Sequence, residues 1–465
     1  MDTTILFWNE VALEANKVSH SKGKEEPKEQ TGPPLSARAL AIVHIALHDA
    51  YFGIVGGFPT YTGMTAGSGD ADGAVASAAH TTLSALYPSQ KDFFDTKLAE
   101  FCKCDVFGTL VAEKILELRA KDPGVGAENY SPKQGPGKHR KDPDNPDQGF
   151  HAPFYGAHST LFSATGVPAL NPPPTLGTPD YNAALAQVRG KGIKPELMGA
   201  LPTAFSKRDA DETVMGIYWG YDGAKNLGTP PRLYNKIVRK FAVQAGCTTA
   251  QNARLFALVN VALADAGILA WKEKYIHEFW RPVVGIREHN PSTGPEARPT
   301  GDCFAPDADT GWLPLGAPAS NSPGKKNFTP DFPAYPSGHA TFGAASLDIA
   351  RRFLKAEKLE GKIKDFCFVS SEFDGVTQDN QGTVRPRHTR LFAGNLDAIV
   401  DAMIVENGLS RIYLGVHWSF DAFGKLKPNG SVDPSIYLGG APLGLKVSES
   451  IFKNGIVPTK MSPAC

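Results

Sequence analysis

The sequence predicts a mostly α-helical protein, and three observations carry that expectation. Apolar residues recur on helical faces over long segments such as 36–54, 250–280 and 338–357. Alternating strand patterns are few. No internal repeat is visible, which argues against a solenoid or propeller.

Each element follows in order. Segment 36–54, "SARALAIVHIALHDAYFGI", is apolar around most of its circumference and reads as a buried helix with Ser36 as its N-cap. Segments 71–87 and 90–122 read as helices too. Residues 123–156 are dense in Gly, Pro, Asp and Asn and read as a long ordered loop. A second Pro-rich stretch spans 171–182. Helices are expected again at 180–198, 207–221, 231–245 and 250–280. The connection 294–337 is long enough to suggest a functional reason for keeping it. Helices follow at 338–357, 388–407 and 409–424, and the chain from 425 onward is rich in Gly and Pro.

Composition excludes some functions. Of 465 residues, 42% are apolar and 21% charged, as in soluble globular proteins. Lys plus Arg and Asp plus Glu are both 48, so bulk charge favours neither nucleic acid nor an anionic membrane surface. Any anion site must be local. The six cysteines, Cys102, Cys104, Cys247, Cys303, Cys367 and Cys465, form no CxxC pair and read as unpaired thiols. The N-terminus lacks the basic and apolar regions of a standard secretory signal. No apolar run is expected to span a membrane.

Three stretches carry chemistry. In "WKEKYIHEFWRP" (271–282), Lys274 and Arg281 are seven residues apart, about two helical turns, so on one helix they share a face with Trp271. The same pattern suits a solvated cationic stripe. In "FPAYPSGHATFG" (332–343), Ser337 is a good N-cap, and Gly338 lets the backbone approach a ligand. The first amides of that helix and its dipole make an anion site, with His339 titratable beside it. A capped helix with a buried imidazole fits equally. In "SRIYLGVHWSFD" (410–421), Arg411 is a rigid five-donor fork, and on a helix His417 and Asp421 are neighbours. The carboxylate then fixes the imidazole tautomer, unless the two form a surface ion pair. Together the stretches supply three cations, a hydroxyl, a glycine amide and two histidines. That set suits a compact oxyanion such as phosphate or vanadate, and not zinc.

These residues, Lys274-x6-Arg281-Pro282, Pro336-Ser337-Gly338-His339 and Ser410-Arg411-x3-Gly415-x-His417-x3-Asp421, resemble the three-part signature of vanadium haloperoxidases and type 2 phosphatidic acid phosphatases. The likeness to the fungal chloroperoxidase branch runs from about residue 5 to 458, through "TGPPLSARAL", "HAPFYG", "YWGYDGAKNLGTPPRLYN" and "ARLFALVNVALADAGI". Loops around 60–75, 120–145 and 355–385 look trimmed against that branch.

The resemblance implies an all-α fold of two four-helix bundles with long irregular loops, the vanadate site lying in the second. One large helical unit, 1–465, is expected, with a first bundle region at 1–200, the second at 201–430 and an irregular tail at 431–465. Lys274, Arg281, Ser337, Gly338 and Arg411 would bind the oxyanion, His417 would ligate vanadium, and His339 would act as acid–base. Lys274 would also polarise bound peroxide, Asp222 would pair with Arg281 and Arg411, and Trp271 and Phe332 would flank the halide. The cofactor implied is vanadate, with no haem and no flavin. The partners implied are hydrogen peroxide, chloride, bromide or iodide, and a diffusing organic acceptor, with no nucleic acid and no membrane span. The activity implied is oxidation of halide to hypohalous acid; the alternative is an acid phosphatase with His417 as nucleophile. A secreted monomer is implied, despite the missing signal, with the cytoplasm as the other location.

Overall fold

The computed structural model describes residues 3–21, 26, 29–101, 104–222, 225–288, 309, 311–317, 329–378, 382 and 384–459. Most of the connection 294–337, and Cys102, Cys303 and Cys465, lie outside the described residues.

The first part of the chain contributes α1 (Thr4–Ser21), α2 (Gly32–Val55), α3 (Ala71–Leu86), α4 (Lys91–Phe101) and α5 (Val106–Leu118). Helix α2 starts four residues before Ser36, because prolines preset its first turn after the extended Thr31. Ser36 instead lies buried inside the helix, where it accepts from Asn16 at 2.8 Å. The single helix expected over 90–122 is two helices. Asp105 caps the second by accepting from the Phe107 amide at 2.9 Å.

After an irregular stretch come α6 (Tyr155–His158), α7 (Pro179–Lys191), α8 (Ala210–Tyr218), α9 (Pro230–Ala245) and α10 (Thr249–His277). Helix α7 stops before Pro195, and α8 begins at the reciprocal Asp209–Glu212 cap. Then follow α11 (Pro282–Arg287), α12 (Gly338–Ala356), strands β1 (Lys364–Phe368) and β2 (Arg390–Asn395), α13 (Leu396–Tyr413), α14 (Ser419–Ala422) and α15 (Gly440–Asn454). The helices expected at 388–407 and 409–424 are therefore a strand, then α13, which runs across the expected break, and then the short α14. Residues 390–392 pair antiparallel with 366–368, and Asn395 caps α13 through the Ala398 amide at 3.0 Å.

The tail from 431 is not irregular throughout, since α15 packs along α12. Gly444 permits that approach, because a Cβ there would sit 2.3 Å from the Thr341 carbonyl oxygen. Helix α10 is the axis of the molecule. It packs on α2 of the first part and on α12 of the second, and is buried along nearly its whole length. Contrary to the sequence expectation, α2 and α10 are long and apolar enough to cross a membrane. In the fold, 78% and 89% of those apolar windows are buried inside the protein.

Candidate active site

Helix α10 carries Trp271 and Lys274 in its last turns. It ends at Glu278, whose φ of 49° is left-handed and whose amide closes back on the Lys274 carbonyl at 2.8 Å. Arg281 is therefore not two turns further along one helix. It is the extended residue capping α11. The turn between them restores the convergence that continuous helix would have supplied. Lys274 Nζ lies 5.0 Å and the Arg281 guanidinium 4.9 Å from the centre of the same Phe332 ring. Lys274 donates to the carbonyls of Pro333, Ala334 and Pro336 at 2.8, 3.1 and 2.5 Å, so it also anchors the approach to α12.

Ser337 caps α12 as its sequence predicts, accepting from the Ala340 amide at 3.4 Å, and its own amide donates to the Asp421 carbonyl at 2.8 Å. The helix leaves its first amides without intrahelical acceptors. A Cβ on Gly338 would stand 3.4 Å from the Trp271 ring, so glycine keeps the backbone open beside that wall. His339 Nε2 lies 2.6 Å from the Gly220 carbonyl oxygen, to which it donates, and 3.9 Å from Asp222. The His339 carbonyl accepts from Tyr234 and Asn407 at 3.0 and 2.7 Å.

Helix α13 delivers Arg411, which grips Asp222 at 2.7 and 3.2 Å from two guanidinium nitrogens. The chain then turns at Gly415, whose φ is +74° and whose Cβ would meet the Gly192 carbonyl at 2.5 Å. His417 follows in this turn, not on a helix. The pairing with Asp421 nevertheless forms, at 2.8 Å from His417 Nδ1, because α14 starts there and Asp421 also accepts from the Trp418 amide at 2.9 Å. Arg281 Nη1 donates to His417 Nε2 at 2.9 Å and to the Val416 carbonyl at 2.8 Å. A guanidinium only donates, so the contact assigns the proton to Nδ1 and the lone pair to Nε2. Asp222, expected on both arginines, bonds to Arg411 and reaches Arg281 as a charge.

Burial dominates the electrostatics. It pulls Arg281 down to about 9, aided by the Arg411 charge. It holds Lys274 well below the usual ammonium range, with Arg281 adding to the effect. His417 and His339 are likewise held well below the usual imidazole range, by burial first, then by Arg281 for His417 and Arg411 for His339. Burial pushes Asp421 up to about 7. Such a set of crowded cations is short of negative charge. Two buried donors, Arg281 Nη2 and Arg411 Nε, have no protein partner among the described residues. A multiply charged oxyanion supplies both acceptors and countercharge. No group of three His, Cys, Asp or Glu suited to a metal ion occurs among the described residues.

Asp222, Trp271, Phe332, Gly338, His339, Arg411 and His417 all line one cavity of about 380 Å³. Lys274, Arg281 and Ser337 stand behind that lining and act through the contacts above. Sequence reasoning missed the supports. Tyr234 and the Gly220 carbonyl lie in the stretch 218–235, which carries the resemblance but assigns them no role, and Asn407 lies in no motif. Asp331 and His151, which share the cavity wall, sit in segments read as loops, and the "HAPFYG" stretch that opens at His151 assigns it no role.

The chain matches the model of the vanadium chloroperoxidase N-terminal domain over residues 2–160 and that of the second helical-bundle domain of these enzymes over 254–424. It is 34% identical to the vanadium chloroperoxidase of Curvularia inaequalis over 98% of this chain and 90% of that protein. The fold resembles a bacterial vanadium-dependent iodoperoxidase, with a TM-score of 0.61, 16% identity and 97% of each chain covered. It also resembles the holo form of a bacterial vanadium-dependent chloroperoxidase, with a TM-score of 0.59 and 13% identity over 94% of this chain and 96% of that one. With both family domains present in order and 34% identity to a relative along nearly its whole length, this chain belongs to the vanadium chloroperoxidase family.

Proposed function

We propose that the protein binds vanadate and oxidises chloride, bromide and iodide with hydrogen peroxide to hypohalous acid. The observation that carries this reading is the convergence of a cation set, a helix N-terminus and an imidazole with its lone pair held on Nε2. Bound vanadate supplies a Lewis-acid centre that activates peroxide without changing its own oxidation state.

The chain's own groups do the rest. Lys274, Arg281, Arg411, Ser337 and the Gly338 amide hold the oxyanion and neutralise its charge. His417, fixed by Asp421, would offer Nε2 as the ligand to vanadium once Arg281 Nη1 yields that nitrogen. Asp222 keeps the Arg411 fork in place. The overall reaction consumes one proton, converting halide, peroxide and a proton to hypohalous acid and water. His339 is buried and neutral, so it takes a proton from incoming peroxide and returns it to the departing oxygen. Lys274, beside the oxyanion, would supply positive charge to stabilise the charge that develops during the reaction. Trp271 and Phe332, with ring centroids 4.8 Å apart, strip water from the halide on its approach. Phe332 places no second imidazole beside the site, and chloride should therefore be oxidised as well as bromide and iodide, with chlorination measurable at mildly acidic pH. The hypohalous acid then diffuses to an organic acceptor, and the protein works as a secreted monomer.

The test is halide-dependent peroxidase activity of vanadate-free protein before and after orthovanadate is added. No gain from pure, folded protein would overturn the reading. The His417–Asp421 pair also suits a phosphoryl nucleophile, with His339 protonating the leaving group. Turnover of an aryl phosphate faster than any vanadate-dependent halide oxidation would favour that second reading.

A further inference from the structure

Two titratable residues line the cavity without a task in that scheme, His151 from the loop ahead of α6 and Asp331 from the approach to α12. They are tied together, since the His151 amide donates to the Asp331 carbonyl at 2.9 Å. Tyr275 of α10 donates to the His151 carbonyl at 2.6 Å. The His151 ring adjoins both aromatic residues of the halide approach, with centroids 6.3 Å from Trp271 and 6.2 Å from Phe332. Its Nε2 is buried without a hydrogen-bond partner, against Gly32, where a Cβ would sit 2.4 Å away. The other groups that feel Asp331 are Arg281 and the Tyr275 phenol. His20, across the same cavity, donates from Nδ1 to the Asn16 carbonyl at 2.7 Å and accepts at Nε2 from the Gly32 amide at 3.1 Å.

We propose that Asp331 and His151 form a proton-holding pair whose charge sets how readily a halide ion reaches the cation ring. The proposal rests on the halide-oxidising reading above. With one proton between them the pair is neutral, whether that proton sits on the carboxyl or the imidazole. Loss of the proton leaves one negative charge beside Trp271 and Phe332, where low polarity strengthens its repulsion of an anion. The titration belongs to the pair and not to either residue. Burial raises the Asp331 carboxyl, with His151 and Arg281 opposing. Burial lowers the His151 imidazole, with Asp331 opposing. Halide access therefore weakens as pH rises through the titration of the pair.

Iodide quenching of tryptophan fluorescence, without peroxide, reads access directly. All six tryptophans are buried, and Trp271 is the one lining this cavity among the described residues. Subtracting a Trp271→Phe sample isolates its signal. In wild type, with or without vanadate, the quenching constant should fall several-fold from pH 5 to 8. In Asp331→Asn the fall should largely disappear, because no carboxylate remains to leave a negative charge beside the halide approach. In His151→Gln the fall should persist at lower pH, since one carboxyl alone holds the proton less tightly than the pair. In the vanadate-loaded enzyme the halide KM should follow the same pattern, apart from any change in kcat. A pH-independent constant in wild type, or an unchanged pH profile in Asp331→Asn, overturns the proposal. Quenching needs no turnover, so a protein that shows the pattern but gains nothing from vanadate refutes the haloperoxidase reading and leaves the pair standing.

Discussion

Replacing Asp222 with asparagine strands a buried cation, and the structure allows its cost to be worked out. The Asp222 and Arg411 side chains are only 6% and 1% exposed, and the carboxylate takes two bonds from the guanidinium, at 2.7 and 3.2 Å. Removing one partner of a buried ion pair costs about 3–5 kcal/mol, chiefly because the other charge is left uncompensated. Asparagine preserves the shape and one carbonyl acceptor, and a hydrogen bond to a charged donor returns about 1.5–3 kcal/mol. The expected net loss in vanadate-free protein is about 1–3 kcal/mol. An oxyanion gives Arg411 a new counterion, so the deficit should shrink once vanadate is bound. Vanadate at a hundred times its Kd adds about 2.7 kcal/mol of its own to any form that binds it. Urea unfolding of wild type and Asp222→Asn, each with and without vanadate at equal saturation, measures both terms. Adding Arg411→Met removes the stranded charge and should recover most of the loss in the vanadate-free protein. A vanadate-free deficit below about 0.5 kcal/mol, or one that vanadate leaves untouched, would refute the reasoning.

His417→Ala should nearly abolish vanadate retention while the cations still hold an oxyanion weakly, and unchanged calorimetric binding would remove His417 as the ligand. His339→Ala should cut halide oxidation by about 10²–10⁴-fold with a smaller effect on vanadate affinity, and near-normal turnover across pH 5–8 would assign the proton to another group. Phosphate shares the charge and shape of vanadate, so millimolar phosphate should slow reconstitution; indifference to it would break the shared-site argument. Phe332→His should lose chlorination more than bromination in a monochlorodimedone assay, and bromide-only activity in wild type would show that phenylalanine at 332 is not sufficient for chloride.

The sequence by itself determined the helices that periodicity and caps specify locally. α2, α3, α9, α10 and α12 lie within a few residues of their expected bounds, because apolar spacing, Pro at helix starts and caps such as Ser337 act over a few residues. It also named the cations and histidines that now lie together, since their chemical types sit in short, dense stretches. Only the tertiary structure decided how they meet. Lys274 and Arg281 converge across a helix break at Glu278, which a seven-residue spacing cannot reveal. His417 pairs with Asp421 from a turn, where Gly415 needs a left-handed backbone against Gly192. β2 formed where a helix was expected because its partner strand lies more than twenty residues earlier, beyond the reach of local pattern. The groups that orient His339, namely Tyr234, Asn407 and the Gly220 carbonyl, come from three separate parts of the chain. Hydrogen-bond partners are chosen by packing in space, so residues with no motif of their own become essential once the fold buries the polar groups they satisfy.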